Sequence, residues 1–380
     1  MLTRLCQNVA LAIISTAIFL AVGEGLARLC YTPKAADSTG LFEYDHDKIY
    51  ALRKNIANGY FVGKKVTTNS LGHRDREIQM NKPNNGFRIL AIGDSVTFGH
   101  GVLAEEAWPE ALELRLAARF PNLAVDVINT AVPGNSPFQE YYDLKRALVL
   151  QPDAVILQFV LNDLVEPYRV FRRFGGKGKD YHKVDDIPWW NHELSQRSAL
   201  FLLLKDVVNR ASLGALTVEQ MRAKALQREA ELSWDAGADP PKDPQMHEAW
   251  RECLAWMQKE IDLCRKSGIP VILMVTPVEL QFRDGTRTYA QQRLAEFAQK
   301  NGITFLDLLP LLRERAARDI ALSIGADAGL PVPVVAARYP KEWAESWGRY
   351  FLDYDHFTPK GHNFTAEILF ALTEKIGARQ

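Results

Sequence analysis

Two short segments of the 380-residue sequence carry the side chains that nucleophilic catalysis requires. Ser95 ends the segment Gly93-Asp94-Ser95, and Asp353 precedes His356 by three residues near the C-terminus. A serine hydroxyl is a weak nucleophile at neutral pH and needs a base, and an imidazole base needs a carboxylate that fixes its tautomer. We therefore predict a triad in which Ser95 attacks an ester carbonyl, His356 takes its proton and Asp353 orients His356.

The oxyanion that forms during such an attack needs hydrogen-bond donors, and the sequence offers candidates for this role. We assign it to the backbone N–H of Ser95, the backbone N–H of Gly134 and the side-chain amide of Asn162. One donor of this kind accounts for about 3 to 4 kcal/mol of transition-state stabilisation. This chemistry uses neither a metal nor an organic cofactor, and we predict none.

Apolar runs typical of buried strands precede these polar residues. They span residues 87–93, 125–129, 154–159, 271–275 and 303–307. Amphipathic stretches of helical period cover residues 108–120, 138–150, 246–266 and 289–300. Strands that alternate with helices of this length favour an α/β fold, with a parallel sheet covered on both faces. Ligands bind at the carboxyl ends of such strands, so we expect Ser95, Gly134, Asn162 and the Asp353/His356 pair to meet at one edge.

Four sequence blocks make the chain resemble a known family, the SGNH hydrolases or GDSL esterases. The blocks occur in the family's order and are Gly93-Asp94-Ser95, Gly134, Asn162-Asp163 and Asp353-x-x-His356. The resemblance implies a three-layer α/β/α flavodoxin-like fold with a parallel five-stranded sheet, Ser95 as nucleophile, and an oxyanion hole completed by Gly134 and Asn162. One position departs from the family pattern, because Val160 stands where the third block usually carries glycine.

The N-terminal 30 residues differ from the rest of the chain. Residues 5–23 carry no charge and residues 9–22 are almost wholly apolar, which is about the length that a bilayer core requires. We predict that residues 1–30 form a transmembrane anchor. A cleavable signal peptide is the alternative, because the small residues of Ala21-Val22-Gly23 fit a cleavage site. Arg4 and Arg28 flank the segment on both sides, so the positive-inside rule does not fix its orientation.

The location of the catalytic domain follows from the resemblance instead. An Asn-Ser-x-Gly-x-Arg stretch at residues 69–74, together with a membrane segment, is similar to a bacterial branch of the family linked to cell-surface polysaccharide. The resemblance therefore implies a membrane-anchored protein with an exoplasmic catalytic domain, either periplasmic or extracellular.

The remaining chain divides into an approach segment, residues 31–85, and a hydrolase domain, residues 86–380. Within this domain the alternation of strands and helices stops at about residues 164–244, which we interpret as an insertion. Its apolar residues are Trp189, Trp190 and the run 200–204. They are equally consistent with internal packing, with contact to a lipid acyl chain and with contact to a sugar.

Charge and cysteine content exclude other classes. Lys plus Arg and Asp plus Glu both number 46, and no basic stripe is present, so we predict no nucleic-acid partner. The spacing of Cys6, Cys30, Cys253 and Cys264 indicates neither a disulfide framework nor a zinc site. The sequence does not fix the oligomeric state.

Three functions are consistent with these features. The first is a serine esterase that hydrolyses acyl esters of cell-surface glycans or lipids through an acyl-enzyme. The second is an O-acyltransferase of surface polysaccharide that uses the same triad, and the third is a non-catalytic glycan-binding protein on a hydrolase scaffold. The complete triad favours the first. For the other polar candidates, we expect Asp355 behind the site or at the surface, and structural roles for His73, His100 and His362.

Overall fold

The computed structural model describes residues 2–30, 41–57, 59–164, 194, 198–212 and 244–378. Most of the predicted insertion, including Trp189 and Trp190, lies outside the described residues.

The N-terminal part consists of one long helix and two small antiparallel strand pairs. Helix α1 spans Leu2–Cys30, and its segment Cys6–Cys30 has a mean hydropathy of 2.1, with most of its side chains exposed. By length and composition this helix qualifies as a membrane span or a signal sequence. Strand β1 (Phe42–Asp45) pairs with β2 (Ile49–Leu52), and β3 (Gly59–Phe61) pairs with β4 (Lys64–Val66).

A parallel sheet of five strands forms the core. Its strands are β5 (Gly86–Ile92), β6 (Ala124–Asn129), β7 (Ala154–Phe159), β8 (Val271–Val275) and β9 (Thr304–Asp307), in the order β6-β5-β7-β8-β9. Every residue of β5, β7 and β8 is buried, as expected of strands that are covered on both faces. The predicted fold class is therefore confirmed, and the five predicted apolar runs are the five strands of this sheet.

Helices cover both faces of the sheet. They are α2 (Ser95–Phe98), α3 (Trp108–Arg119), α4 (Pro137–Ala147), α5 (Ala199–Ser212), α6 (Pro244–Lys266), α7 (Glu279–Asp284), α8 (Tyr289–Asn301), α9 (Leu308–Ser323), α10 (Val332–Arg338), α11 (Pro340–Ser346) and α12 (Pro359–Gly377). Helix α3 packs against α12, and α4 packs against α6. The chain moves from β5 to β6 in one direction and then returns past β5 to β7, so right-handed crossovers place their helices on opposite faces. The result is a three-layer α/β/α arrangement.

The strand order also predicts where a ligand binds. Strand β5 lies between β6 and β7, so the connections that leave β5 and β6 run in opposite directions across the sheet. In flavodoxin-like sheets, ligands occupy the crevice that opens beyond the carboxyl ends of the strands at this point. The loops that follow β5, β6 and β7 therefore border the expected crevice.

Helix α5, the main described part of the insertion, packs on the last turns of α1. The Ser198 hydroxyl donates to the Glu24 carboxylate at 2.8 Å, and the backbone N–H groups of Ala199 and Leu200 donate to the same carboxylate at 3.0 Å each. The first turn of a helix has N–H groups without intrahelical partners, and a carboxylate is favourable there. Glu24 of α1 thus caps the N-terminus of the neighbouring helix.

Candidate active site

The structure brings Ser95, His356 and Asp353 into direct contact. His356 Nε2 lies 2.8 Å from Ser95 Oγ, and His356 Nδ1 lies 2.8 Å and 2.9 Å from the two carboxylate oxygens of Asp353. Ser95 and His356 are 6% and 5% exposed, so the hydroxyl reaches the surface only through a small opening. This is the geometry that a general base needs to take a proton from a serine.

Ser95 is the first residue of the single-turn helix α2, which Gly93 and Asp94 connect to β5. The Asp94 side chain accepts a hydrogen bond from the Val96 N–H at 2.9 Å and so caps this helix. At Gly93, a Cβ atom would lie 2.5 Å from Gln158 Oε1 and 2.6 Å from Thr97 Oγ1. Only glycine fits at that position, which explains why the residue two before the nucleophile lacks a side chain.

A buried arginine holds the other end of α2. Arg74 is 3% exposed and donates hydrogen bonds to the carbonyl oxygens of Phe98, Gly99 and Val102, each at 2.8 Å. A one-turn helix leaves its carbonyl groups without intrahelical partners, so an external donor is required. Arg74 belongs to the Asn-Ser-x-Gly-x-Arg stretch. It connects the approach segment to residues 93–99, which carry the predicted nucleophile and are called the nucleophile turn.

Gly134 lies in the loop after β6, beside the nucleophile turn. Its φ of +78° is in the left-handed region that favours glycine. The loop is attached to the turn by a 3.3 Å hydrogen bond from the Val132 N–H to the Gly93 carbonyl, and Tyr50 of β2 donates to the Pro133 carbonyl at 2.9 Å. The approach segment thus supports this loop as well.

Asn162 lies in the 3-10 turn Leu161–Leu164 that follows β7. Its amide nitrogen donates to Asp94 at 3.2 Å and to Asp355 at 3.0 Å. The amide that the sequence assigns to the oxyanion is therefore bonded to two buried carboxylates. Val160, at the position where the family usually has glycine, is fully buried, and its N–H donates to Asp163 at 2.9 Å.

Asp355 is a site residue that the sequence did not identify. It has no exposed surface, and its Oδ1 lies 3.0 Å from His356 Nδ1. Our expectation allowed a position behind the site or at the surface, and the structure places the carboxylate against the imidazole of His356. The adjacent acidic residue in Asp353-Tyr354-Asp355-His356 was the available signal, but spacing alone pointed to Asp353.

His100 is a second residue whose position the sequence did not indicate. Its ring stacks on the ring of His356, with centroids 3.6 Å apart and planes inclined by 14°. The ring of Phe61, from β3, and the ring of His100 meet edge to face, with centroids 5.1 Å apart. His100 therefore covers one face of the His356 imidazole.

The carboxylates determine the protonation of this site. Burial alone would lower the pKa of His356, but the negative charges of Asp355 and Asp353 outweigh it and raise the pKa well above its ordinary value. Burial would raise the pKa of Asp353, but the charge and hydrogen bond of His356 lower it instead. Burial raises the pKa of Asp94. The two carboxylates therefore stabilise the imidazolium form of His356, the form that results when His356 accepts a proton.

A metal could in principle compete for these side chains. In the part of the chain that the structure describes, ligand atoms of His100, Asp353 and His356 come within 4.8 Å of one another. Both ring nitrogens of His356 already contact Asp353 and Ser95. A metal ion bound at His356 would have to displace one of these contacts.

The fold and this arrangement define the class of protein: a three-layer α/β protein with a serine, histidine and aspartate in contact at the ligand-binding edge of its sheet. A sequence model described as the GDSL-like Lipase/Acylhydrolase family matches residues 91–364. The chain therefore belongs to this family and is a hydrolase that acts on esters.

Solved structures of related proteins are similar to this chain at low sequence identity. A GDSL-like lipase from Bacteroides thetaiotaomicron is 12% identical with a TM-score of 0.34, and the match covers 78% of this chain and 92% of that protein. A catalytic mutant of an acetylxylan esterase from Geobacillus stearothermophilus is 15% identical with a TM-score of 0.38, covering 79% of this chain and 97% of that protein. No curated protein sequence matches this chain.

Proposed function

We propose that the chain is a serine esterase in which Ser95, His356 and Asp353 form the catalytic triad. The observation that carries this proposal is the continuous chain of contacts, 2.8 Å from Ser95 Oγ to His356 Nε2 and 2.8 Å from His356 Nδ1 to Asp353. In a triad, the imidazole must reach both partners at once, and hydrogen-bond distances of this size allow it.

The reaction proceeds through an acyl-enzyme. His356 Nε2 takes the Ser95 proton while Oγ bonds to the ester carbonyl carbon, and Asp353 stabilises the resulting imidazolium. The tetrahedral intermediate then collapses: the bond to the leaving alkoxide breaks, and His356 returns the proton to that oxygen. Water, deprotonated by His356, attacks the acyl-enzyme, and the second collapse releases the acid and returns the proton to Ser95.

The oxyanion is assigned to the backbone N–H groups of Ser95 and Gly134 and to the amide of Asn162. The left-handed turn at Gly134 and its attachment to the Gly93 carbonyl support this assignment. For Asn162 to contribute, its amide must share a proton that now goes to a carboxylate. The 3.2 Å bond to Asp94 is the longer of its two bonds and is the one we assign to this exchange.

Replacement of the nucleophile tests the proposal. The Ser95→Ala variant should lose turnover of a small aryl ester and labelling by a fluorophosphonate, because no oxygen is left to attack. The control is Ser323→Ala, which alters a hydroxyl bonded only to the Ile320 carbonyl within its own helix and should leave both readouts unchanged. Labelling of Ser95→Ala at the wild-type rate would refute the assignment.

We place the substrate, an acyl ester of a glycan or lipid, at the exoplasmic surface of a bacterial membrane. The exposed apolar surface of α1 and the contact between α1 and helix α5 through Glu24 support an anchor attached to the hydrolase domain. Cys6 and Cys30 are exposed near the two ends of α1, while Cys253 and Cys264 are buried. A membrane-impermeant maleimide applied to spheroplasts should therefore label wild type and Cys6→Ser but not Cys30→Ser; labelling that depends on Cys6 would reverse the orientation.

The ester assay can also distinguish hydrolysis of the acyl-enzyme from transfer of its acyl group to a sugar. With a carbohydrate acceptor present, an esterase releases free acid, because water attacks the acyl-enzyme. Acylated sugar formed in preference to free acid would instead identify an O-acyltransferase that uses the same serine.

A further inference from the structure

Asp355 makes two contacts that join separate parts of the candidate site. One carboxylate oxygen lies 3.0 Å from His356 Nδ1, and the other accepts a 3.0 Å hydrogen bond from the Asn162 amide. The side chain has no exposed surface, whereas that of Asp353 is 24% exposed. A buried carboxylate is costly unless charged or polar partners compensate it, so the burial of Asp355 in this place needs an explanation.

We propose that Asp355 is a positioning residue: a second carboxylate partner of the catalytic base that holds His356 and the amide of Asn162 in one arrangement. The inference rests on the proposed function, because it concerns the same imidazole. It assigns to Asp355 a contribution that is separate from that of Asp353.

The argument begins with the geometry of the loop. The backbone N–H of His356 donates to Asp353 at 3.0 Å, so Asp353 is held by the loop that carries it. Asp355 is held from outside, because its second oxygen is bonded to Asn162 at the end of β7. A displacement of His356 would therefore strain a contact to the sheet as well as contacts within the loop.

Electrostatics adds a second step. The groups that face the imidazole are Asp353 and Asp355 from its own loop, Asp94 from the nucleophile turn, and His100 stacked on its face. Among these, Asp355 and Asp353 are the charges that raise the pKa of His356 against the opposing effect of burial. A fully buried carboxylate acts with little solvent screening, so it stabilises the imidazolium strongly.

The charge of Asp355 predicts that the acid limb of the pH profile moves to lower pH when that charge is removed. His356 must be neutral to accept the Ser95 proton, so kcat/KM falls on the acid side as His356 becomes protonated. Removing the charge of Asp355 lowers the pKa of His356, so the acid limb of the profile should move to lower pH by about one unit. The plateau should fall at the same time, because asparagine has a single side-chain oxygen, which can accept from Asn162 or face His356 Nδ1 but cannot do both.

The experiment compares the full chain, in detergent or nanodiscs, with its Asp355→Asn variant on a small aryl ester from about pH 5 to about pH 9. The matched control is Asp353→Asn, which should lose about 10⁴-fold in plateau kcat, as expected for the residue that fixes the tautomer. Asp355→Asn should lose about tenfold in plateau kcat, and its acid limb should move to lower pH by about one unit. A loss of plateau with an unmoved acid limb would overturn the inference, because it would mean only a structural role.

Wild type alone provides a second test that does not depend on folding of a variant. Two carboxylates beside one buried imidazole raise its pKa. The acid limb of the wild-type kcat/KM profile should therefore lie above the ordinary imidazole pKa of about 6.5. An acid limb at or below that value would overturn the inference even if Asp355→Asn does not fold. Failure of wild type to hydrolyse the ester or to react with a fluorophosphonate is a different result, because it would refute the proposed function itself.

Discussion

The predicted nucleophile, Ser95, and the predicted base, His356, are held in place by different means. Residues 93–99, the nucleophile turn, are all buried between the sheet, Arg74 and the neighbouring loops. The histidine loop, residues 351–358, includes Leu352 at 44% exposure, and local bonds close it, from the Leu352 N–H to the His356 carbonyl and from the Thr358 N–H to the carbonyl of the adjacent Tyr350, both at 2.8 Å. Two further bonds, from the Glu279 N–H to the Tyr354 carbonyl at 2.6 Å and from the Asn162 amide to Asp355 at 3.0 Å, join it to the rest of the fold. The comparison shows that Ser95 is enclosed on all sides, whereas His356 is positioned by local bonds and by a few contacts to the rest of the fold.

The strongest test of this comparison is Arg74→Met. The change removes the side-chain donor of three carbonyl groups around α2, of which Gly99 keeps only a 3.3 Å bond from the Val102 N–H, so the free energy of unfolding should fall by about 3 kcal/mol or more. We expect kcat/KM to fall at least about tenfold as well, because the turn that carries Ser95 loses its support. Chemical denaturation and ester turnover measure the two effects.

The control for that variant is Arg251→Met, which removes an arginine whose side chain is 74% exposed on α6. It should change the free energy of unfolding by less than about 0.5 kcal/mol. If Arg74→Met and Arg251→Met changed the free energy of unfolding equally, Arg74 would not hold the nucleophile turn.

An intermediate effect is expected from Gly361→Ala, which acts on the histidine loop. The added Cβ would lie 2.5 Å from the Tyr350 carbonyl oxygen and 3.0 Å from Phe357 Cβ, so the loop must shift. Because a shift of this loop moves His356 but leaves the sheet intact, we expect kcat to fall about tenfold with a stability loss of only about 1 to 2 kcal/mol.

Gly348→Ala is the matched control for that substitution. A Cβ at Gly348 would meet no atom within 4 Å, although the residue is near the same loop in sequence. Unchanged turnover in both variants would show that the histidine loop is as rigid as the nucleophile turn, and would remove the contrast between them.

The smallest effect is expected from His100→Ala, which removes the ring stacked on His356. Stacked aromatic pairs contribute about 0.5 to 1.5 kcal/mol, so kcat/KM should fall about two- to tenfold. His100→Phe retains a flat ring and should recover most of this loss. If phenylalanine recovers nothing, stacking is not the contribution that His100 makes.

Local sequence patterns were sufficient to predict the sheet, whereas the contact between Ser95 and His356 was predicted from the chemistry of a serine nucleophile and from the family's motif blocks. Strands buried on both faces are read as continuous apolar runs, so β7 and β8 were placed at their observed residues. Boundaries at exposed or edge positions were less exact. The helix predicted for residues 138–150 ends as α4 at Ala147 and continues as the 3-10 turn Leu148–Leu150.

The contact of Asp355 with Asn162 and the contacts of His100 and Arg74 were not predicted, and the reason is common to them. Each depends on how two loops distant in sequence meet: His100 reaches His356 across more than 250 residues, and Arg74 reaches carbonyls about 25 residues away. Periodicity describes which face of an element is buried, but it does not describe the path of a loop. Asp353 was found because its partner is three residues away within the same loop.

The cap that Glu24 supplies has a practical consequence for making a soluble form of the enzyme. The last turns of α1 belong to the folded body, because Ala27 is only 3% exposed and Gly23 lies against Leu200. Cutting after residue 30 would remove the capping carboxylate of α5 and uncover that contact. A deletion that ends before Glu24 discards most of the apolar surface, retains the cap, and is the better point at which to separate catalysis from anchoring.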